Sequence, residues 1–206
     1  MKLVIASTNM HKIREFRSML KSLKTVDIYS LVDFPHYVPP YEDGRTFEEN
    51  ATLKAEHAAK ALGCWTIADD SGLVVPALKG DPGVYSARYA GPSATDKENC
   101  QKLLLAMKDL HDTDRCAYLE CCIVLASPKG VEKQVKAICE GMIDNKESGR
   151  NGFGYDTVFR KYEYSKTFAD LEEETKNRIS HRRKAFDKIL ISLESIRDNA
   201  LLDRRL

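Results

Sequence analysis

The sequence predicts a mixed α/β fold, an elongated sheet flanked by helices in a single domain spanning residues 1–206. Three observations predict it. Short apolar runs alternate with amphipathic helical stretches along the first half of the chain. Two helix starts carry the Thr-x-x-Glu pattern of a capping box. Two long strand-like runs, 116–126 and 131–139, are separated only by Ser127-Pro128-Lys129-Gly130 and read as an antiparallel hairpin. At this length one domain buries a proper core.

Each element follows from local pattern. Residues 3–6 form a short apolar strand that passes through Ser7-Thr8-Asn9-Met10-His11-Lys12 into a helix. That helix carries Ile13, Phe16, Met19, Leu20 and Leu23 on one face. Residues 26–31 alternate enough for a second strand, and 32–45 are irregular, with Pro35, Pro39, Pro40 and Gly44. Thr46-Phe47-Glu48-Glu49 opens an alanine-rich helix that runs to Leu62 and stops at Gly63, a good C′ glycine. Residues 65–68 read as a buried strand, after which Gly72 permits a tight turn into another strand at Leu73-Val74-Val75. Thr95-Asp96-Lys97-Glu98 opens a helix to about Met107. Beyond the hairpin, the glycine-rich loop 149–156 leads to Thr157-Val158-Phe159. A last helix starts near Ser180, with Ala185, Ile189, Leu190 and Leu193 on its buried side, and 197–206 is expected to fray.

Composition excludes several function classes. The 32 basic and 31 acidic residues nearly cancel, so no global field favours nucleic acid or a membrane surface. No run reaches transmembrane length, and Met1-Lys2-Leu3-Val4-Ile5-Ala6 is too short an apolar stretch for a signal peptide. The six cysteines form no C-x-x-C pair and four sit in or beside strand-like runs, which suits buried thiols in a reducing cytoplasm. The five histidines are scattered without H-E-x-x-H, which disfavours a zinc hydrolase.

Four segments carry chemistry. In Asp69-Asp70-Ser71-Gly72 an apolar run ends in two carboxylates, which are costly to keep ionised beside buried strands unless something positive compensates them. A hard cation such as Mg²⁺ is one answer; an Asp that caps a turn beside one that faces solvent is the other. Ser7 to Lys12 lie between a strand and a helix start, where outward backbone N–H groups and the helix dipole favour phosphate, although an ordinary cap by Ser7 or Asn9 accounts for the same residues. No Walker A loop occurs. The G-x-x-G-x-G order at 149–154 has the wrong spacing for a dinucleotide fingerprint, yet its glycines beside Phe153 and Tyr155 let backbone and ring approach a base; a turn with core aromatics reads equally well. Lys176-Asn177-Arg178-Ile179-Ser180-His181-Arg182-Arg183-Lys184 concentrates positive charge around a helix start, which calls for an anion unless it is a solvated face.

Taken in order, these segments resemble the inosine triphosphate pyrophosphatase, or Ham1-like, family of non-canonical purine nucleoside triphosphate pyrophosphatases. The resemblance runs from Leu3 to about Ile189. It rests on S-T-N-x-x-K at 7–12, T-F-E-E-N-A at 46–51, A-D-D-S-G-L at 68–73, P-G-V-Y-S-A-R-Y at 82–89, G-F-G-Y-D at 152–156 and S-H-R at 180–182, with Lys176 five residues before the histidine. Two positions depart from the family pattern. Thr8 stands where many relatives have glycine, and Tyr41-Glu42 stand where bacterial relatives often carry two glutamates.

The resemblance implies a nucleotide site in a cleft between two lobes and cleavage between the α and β phosphates of ITP, dITP or XTP. It implies Mg²⁺ held by Asp70 with Glu42 or Asp69 assisting, and Asp70 as the group that accepts a proton from the attacking water. Asn9, Lys12 and Lys176 would hold phosphate oxygens, with Ser7, Thr8, Met10, His11 and Ser71 lining the same site. The base would lie against Phe153 in the Gly154-Tyr155-Asp156 loop, with Asp156, His181 and Arg182 near its edge. Donors aimed at a 6-oxo group accept hypoxanthine and xanthine and are left unpaired by adenine. Relatives are homodimers, and Val84, Tyr85, Arg88 and Tyr89 form an aromatic, arginine-bearing segment expected in or beside such an interface. Two other readings compete. An aspartyl-nucleophile phosphatase usually wants D-x-D rather than adjacent Asp69-Asp70, and a non-catalytic nucleotide sensor would not need both the acidic and the basic halves of a hydrolytic site.

Overall fold

Among the described residues, β1 (Lys2–Ile5), β2 (Asp27–Ser30), β3 (Trp65–Val74), β4 (Cys116–Ser127), β5 (Gly130–Ile143) and β6 (Phe159–Lys161) form one mixed sheet, ordered β2-β1-β3-β4-β5-β6. The helices are α1 (Met10–Leu20), α2 (Phe47–Leu62), α3 (Asp96–Ala106), α4 (Glu173–Ile179) and α5 (His181–Leu202). The structure, a computed structural model, describes the backbone of residues 1–202 and side chains as far as Asp198. Helix α5 continues through the stretch expected to fray as far as Leu202, and 203–206 lie outside the described residues. No helix among the described residues is long and apolar enough to cross a membrane.

The chain forms two compact units. The first comprises Met1–Asp70, Cys122–Lys136 and the chain from Arg183 on; the second comprises Ser71–Cys121 and Ala137–Arg182. In the first, β1 runs parallel to both β2 and β3, with Leu3 opposite Ile28 and Trp65 and Ile5 opposite Ser30 and Ile67. Leu3, Val4 and Ile5 are consecutive and at most 1% exposed, as expected of an interior parallel strand covered on both faces. Phe16 of α1 meets Phe186 of α5 edge-on at 6.4 Å; burying such a ring is worth about 1.5–3 kcal/mol. Ala51, Ala55, Ala58 and Ala59 give α2 a small-residue face that is fully buried.

The caps show why α2 begins and ends where it does. Thr46 Oγ1 accepts the Glu49 N–H at 3.1 Å, while the Glu49 carboxylate reaches back to Arg45 N at 2.6 Å, one residue earlier than in a reciprocal capping box. Gly63 takes the left-handed conformation (φ 65°) and returns its N–H to Ala59 O. Helix α3 has the full reciprocal box between Thr95 and Glu98.

Two expectations are corrected. β3 is one ten-residue strand, with no turn at Gly72. The chain stays extended because Leu73 is fully buried in the second unit and its N–H bonds Ser86 Oγ at 2.9 Å. The turn comes later, at Lys79 and Gly80, both at positive φ. The basic run 176–184 is also split by a helix boundary. Ser180 is extended (φ −68°, ψ 158°) and ends α4, so Lys176 and Arg178 lie in the last turn of α4, where the helix dipole favours cations.

The core of the second unit gathers Leu73, Leu103, Met107, Ile143, Val158 and Phe168, with Phe159 and Phe168 edge-on at 5.0 Å. Within it, the fully buried Arg115 donates to the carbonyls of Met107 (2.7 Å), Ile143 (2.8 Å) and Asp144 (3.0 Å). Residues Gly83–Arg88 form a 3-10 helix. Ser86 is buried, Tyr89 packs on the core, and Tyr85 stays 57% exposed beneath the Arg88 guanidinium at 5.3 Å. All six cysteines are free thiols, five buried and Cys116 exposed.

Candidate active site

In the first unit, the parallel pairing of β1 with β3 brings the loop after β1 and the end of the buried run in β3 to the same side of the sheet. Carboxyl ends of parallel strands are where open α/β sheets bind ligands. Ala6 N–H bonds Ile67 O at 2.8 Å, which carries the register up to Asp69 and Asp70. Lys12, in the first turn of α1, pairs with Asp69 at 3.0 Å. Lys54 of α2 stands between two carboxylates, 2.9 Å from Asp70 Oδ1 and 3.0 Å from Glu42 Oε2. The buried Asn50, one turn before Lys54, donates to Asp70 Oδ2 at 3.2 Å and accepts the Gly44 N–H at 2.8 Å. A Cβ on Gly44 would lie 2.5 Å from that Asn50 oxygen, so the loop carrying Glu42 reaches the site only because residue 44 lacks a side chain.

These contacts answer what compensates the adjacent acids. Burial works against the charge of Lys54, but Asp70, Glu42 and Asp69 together outweigh it and hold the ammonium above the ordinary lysine value. Asp69 pairs with Lys12, and among the described residues no three carboxylate, histidine or cysteine side chains converge as a closed metal cage. The Asp70–Glu42 pair nonetheless already accommodates a cation between its oxygens. Two carboxylates suit Mg²⁺, which keeps several waters and takes further ligands from substrate phosphates. Tyr41, the other residue at the position of the family's paired glutamates, is exposed.

The loop between β1 and α1 is partly self-satisfied. Asn9 Oδ1 accepts the N–H groups of His11 (2.9 Å) and Lys12 (3.2 Å), and Ser7 Oγ accepts that of Asn9 (3.1 Å). Asn9 is therefore the N-cap of α1, and two of the helix's outward donors are taken by it. Thr8, Met10 and His11 are exposed at the start of α1, with Met10 47% exposed.

In the second unit, the glycine loop, α4 and the first two residues of α5 build a cluster around Phe153. Lys176 Nζ lies 4.7 Å from the Phe153 ring centre and the Arg182 guanidinium 5.8 Å, both within cation–π range. Lys176 also donates to Asp156 Oδ2 at 2.6 Å, and that oxygen accepts the Phe153 N–H at 2.9 Å. Lys176, Asp156, His181 and Arg182 are all buried. Arg182 donates to Ser71 Oγ at 2.8 Å, and Ser71 directly follows Asp70 on β3. Gly152 sits at φ 78°, and a Cβ there would run into the Asp156 carboxylate.

The sequence-predicted residues thus fall into two groups. Lys12, Glu42, Asp69 and Asp70 come together in the first unit, and Ser71, Phe153, Gly154, Asp156, Lys176 and Arg182 in the second. Lys176 is committed to Asp156 and the Phe153 ring. The Tyr155 ring lies in the core with its hydroxyl donating to Ser86 O at 2.9 Å, so its side chain is committed to packing. Sequence reasoning missed Lys54 and Asn50. The signal available was their helical spacing from Thr46, which places Asn50 and Lys54 on one face of α2.

A family model described as the Ham1 family matches residues 3–191. The chain is 56% identical over 199 residues to the dITP/XTP pyrophosphatase of Protochlamydia amoebophila, covering 96% of this chain and 100% of that protein. Among solved structures, a HAM1 protein from Coxiella burnetii matches with a TM-score of 0.86 at 38% identity. The Ham1 protein of Staphylococcus aureus matches with a TM-score of 0.83 at 42% identity. Each of these structural matches covers 95% of this chain and 99% of the other.

Lys176 and Asp156 form a buried ion pair, in which removing one partner strands the other's charge. Lys176→Met is expected to lower the unfolding free energy by about 3–5 kcal/mol, measured by urea denaturation, and adding Asp156→Asn to recover most of it. A loss below about 1 kcal/mol in the single variant would contradict this account.

Proposed function

The chain belongs to the Ham1 family, and on that premise we propose that it hydrolyses the non-canonical purine nucleoside triphosphates dITP, ITP and XTP to the monophosphate and pyrophosphate. The observation that carries this reading is the placement of Lys54 between Asp70 and Glu42, beside the Lys12–Asp69 pair. Alternating positive and negative groups at the ends of parallel strands suit a polyanion whose charge must be both neutralised and attacked. Asp70 is followed without a break by Ser71 and its Arg182 contact, so the acidic group and the Phe153 cluster are joined through consecutive residues.

Mg²⁺ held by Asp70 and Glu42 would neutralise triphosphate charge and make a bound water more acidic. Lys12 and Lys54 provide ammonium groups for phosphate oxygens, and the Asn9 amide with the Ser7 and Thr8 hydroxyls provides neutral donors beside the start of α1. Asp70 is oriented by Asn50 and Lys54, one on each oxygen, and each oxygen retains a lone pair. In this reading one of them takes the proton as the water oxygen bonds to the α phosphorus and the bond from that phosphorus to the bridging oxygen breaks, releasing pyrophosphate. The purine stacks on Phe153. Besides the N–H groups on Asp156 and Ser71, Lys176 and Arg182 carry further donors that would meet a 6-oxo group, whereas the adenine amino group would present those donors with another donor. The reading includes the whole chain as one catalytic domain in the cytoplasm, acting on a small nucleotide as a homodimer with Tyr85 and Arg88 in or beside the interface.

A nucleotide panel with Mg²⁺ and pyrophosphate detection tests the activity. ITP, dITP and XTP are expected to give much higher kcat/KM than ATP or GTP; comparable efficiency on ATP, or release of inorganic phosphate instead of pyrophosphate, would defeat the reading. Asp70→Asn is expected to nearly abolish turnover in a folded protein, because it removes the proton acceptor and a cation-holding charge together. Asp69→Asn, which releases Lys12 but keeps Asp70 and Glu42, is expected to be the milder change, and the opposite ranking would reassign the pair. Sedimentation at micromolar concentration is expected to show a dimer that Tyr85→Ala weakens; a monomeric wild type refutes that assembly.

A further inference from the structure

Helix α3 grips the glycine loop with two side chains one turn apart. Asp96 Oδ2 accepts the Gly154 N–H at 2.7 Å, and the Cys100 thiol donates to Gly154 O at 3.4 Å. Residues i and i+4 share a helix face, so one face of α3 holds both polar groups of a single residue. Cys100 is buried, and burial pushes its thiol up to about 11, which keeps it a neutral S–H donor near neutral pH. Gly154 sits at φ 60° with open space where a Cβ would be, so its conformation rather than crowding explains the glycine. Within the loop, Phe153 O accepts the Asp156 N–H at 3.2 Å, so α3 adds the holds on the Gly154 N–H and Gly154 O.

The residues that flank this grip belong to the base-side cluster. Phe153 precedes Gly154 directly, and the Phe153 N–H is bound to Asp156. The carbonyl of Phe153 forms the peptide whose N–H Asp96 holds, so a rotation of that peptide moves the ring beneath Lys176 and Arg182. We propose that Asp96 and Cys100 are positioning residues for base recognition, locking the Gly154 peptides so that the Phe153 ring is pre-oriented for a purine; this rests on the reading of the Phe153 cluster as the base site. A purely structural role predicts something different. Asp96 is a first-turn acid of α3, and if it only stabilised that helix, its loss would resemble loss of the Thr95 cap.

The test measures kcat and KM for ITP by pyrophosphate release, together with thermal midpoints, for Asp96→Ala, Asp96→Asn, Cys100→Ala, Thr95→Ala and Phe153→Ala. Asp96→Ala is expected to raise KM about tenfold with kcat within about twofold, the size of one lost charge-assisted hydrogen bond. Asp96→Asn, which retains an acceptor oxygen, is expected to recover most of the affinity, and Cys100→Ala to raise KM about threefold. Thr95→Ala is expected to lower the thermal midpoint and leave KM unchanged. If Phe153→Ala raises KM but Asp96→Ala does not, or if Asp96→Ala merely matches Thr95→Ala, the grip has no role in recognition. If Phe153→Ala also leaves KM unchanged, the base-site reading fails and the positioning role falls with it. Should Asp96→Ala prove insoluble, Cys100→Ala decides from the carbonyl side of the same residue, with an unchanged KM overturning the proposal.

Discussion

Three buried carboxylates govern this protein, and each meets an ammonium group. Asp69 has Lys12, Asp70 has Lys54 and Asp156 has Lys176. An ionised carboxylate taken out of water without such a partner is penalised by several kcal/mol, a large share of the total stability of a domain. The partners arrive on three different helices, α1, α2 and α4, so burying each acid goes together with docking the helix that carries its lysine. Folding and assembly of the site are therefore one event. The acidic strand end that looks unfavourable in isolation is met by two helices, α1 and α2, each through a single lysine, and α4 does the same for Asp156 in the second unit.

Polar backbone geometry supplies the second layer. Gly44 and Gly152 let main chain come close to Asn50 and Asp156, so Asn50, which orients Asp70, and the Asp156 carboxylate itself are each held by a backbone N–H. Parallel pairing of β1 with β3 sets the Ser7–Lys12 loop beside Asp69 and Asp70 without any long-range design in either segment. Proposed ligand chemistry then follows from position. Charged groups cluster at the strand ends of the first unit, and in the second a ring is flanked by two cations.

Much of this was legible along the chain. Thr46, Gly63 and the Thr95–Glu98 pair mark helix ends because capping satisfies donors within three or four residues, and that chemistry needs no tertiary partner. The hairpin is equally local, two strand-forming runs around Pro128–Lys129. The ordered motifs around Asp69-Asp70, Phe153 and His181 were enough to identify a family resemblance and most of the candidate site. Where the reading failed, distant contacts had overruled local signals. Gly72 looks like a turn, but Leu73 is drawn into a core and its N–H bonded by Ser86, so β3 runs straight on. The basic run near Ser180 looks like one helix start, yet it divides between the end of α4 and the start of α5.

The sequence by itself determined most of the segments that become strand or helix and several of their ends, though neither the short helix α4 nor the unbroken run of β3. Only the tertiary structure decided which ammonium meets which carboxylate. Lys54 and Asn50 look like ordinary helix residues until α2 is docked against β3, and Lys176 looks like one more surface cation until α4 brings it to Asp156 and Phe153. The reason is range. Capping and periodicity act over one or two turns, whereas the pairing of buried charges depends on strand order and helix docking between residues 16 to 57 positions apart, from Lys54–Asp70 to Lys12–Asp69.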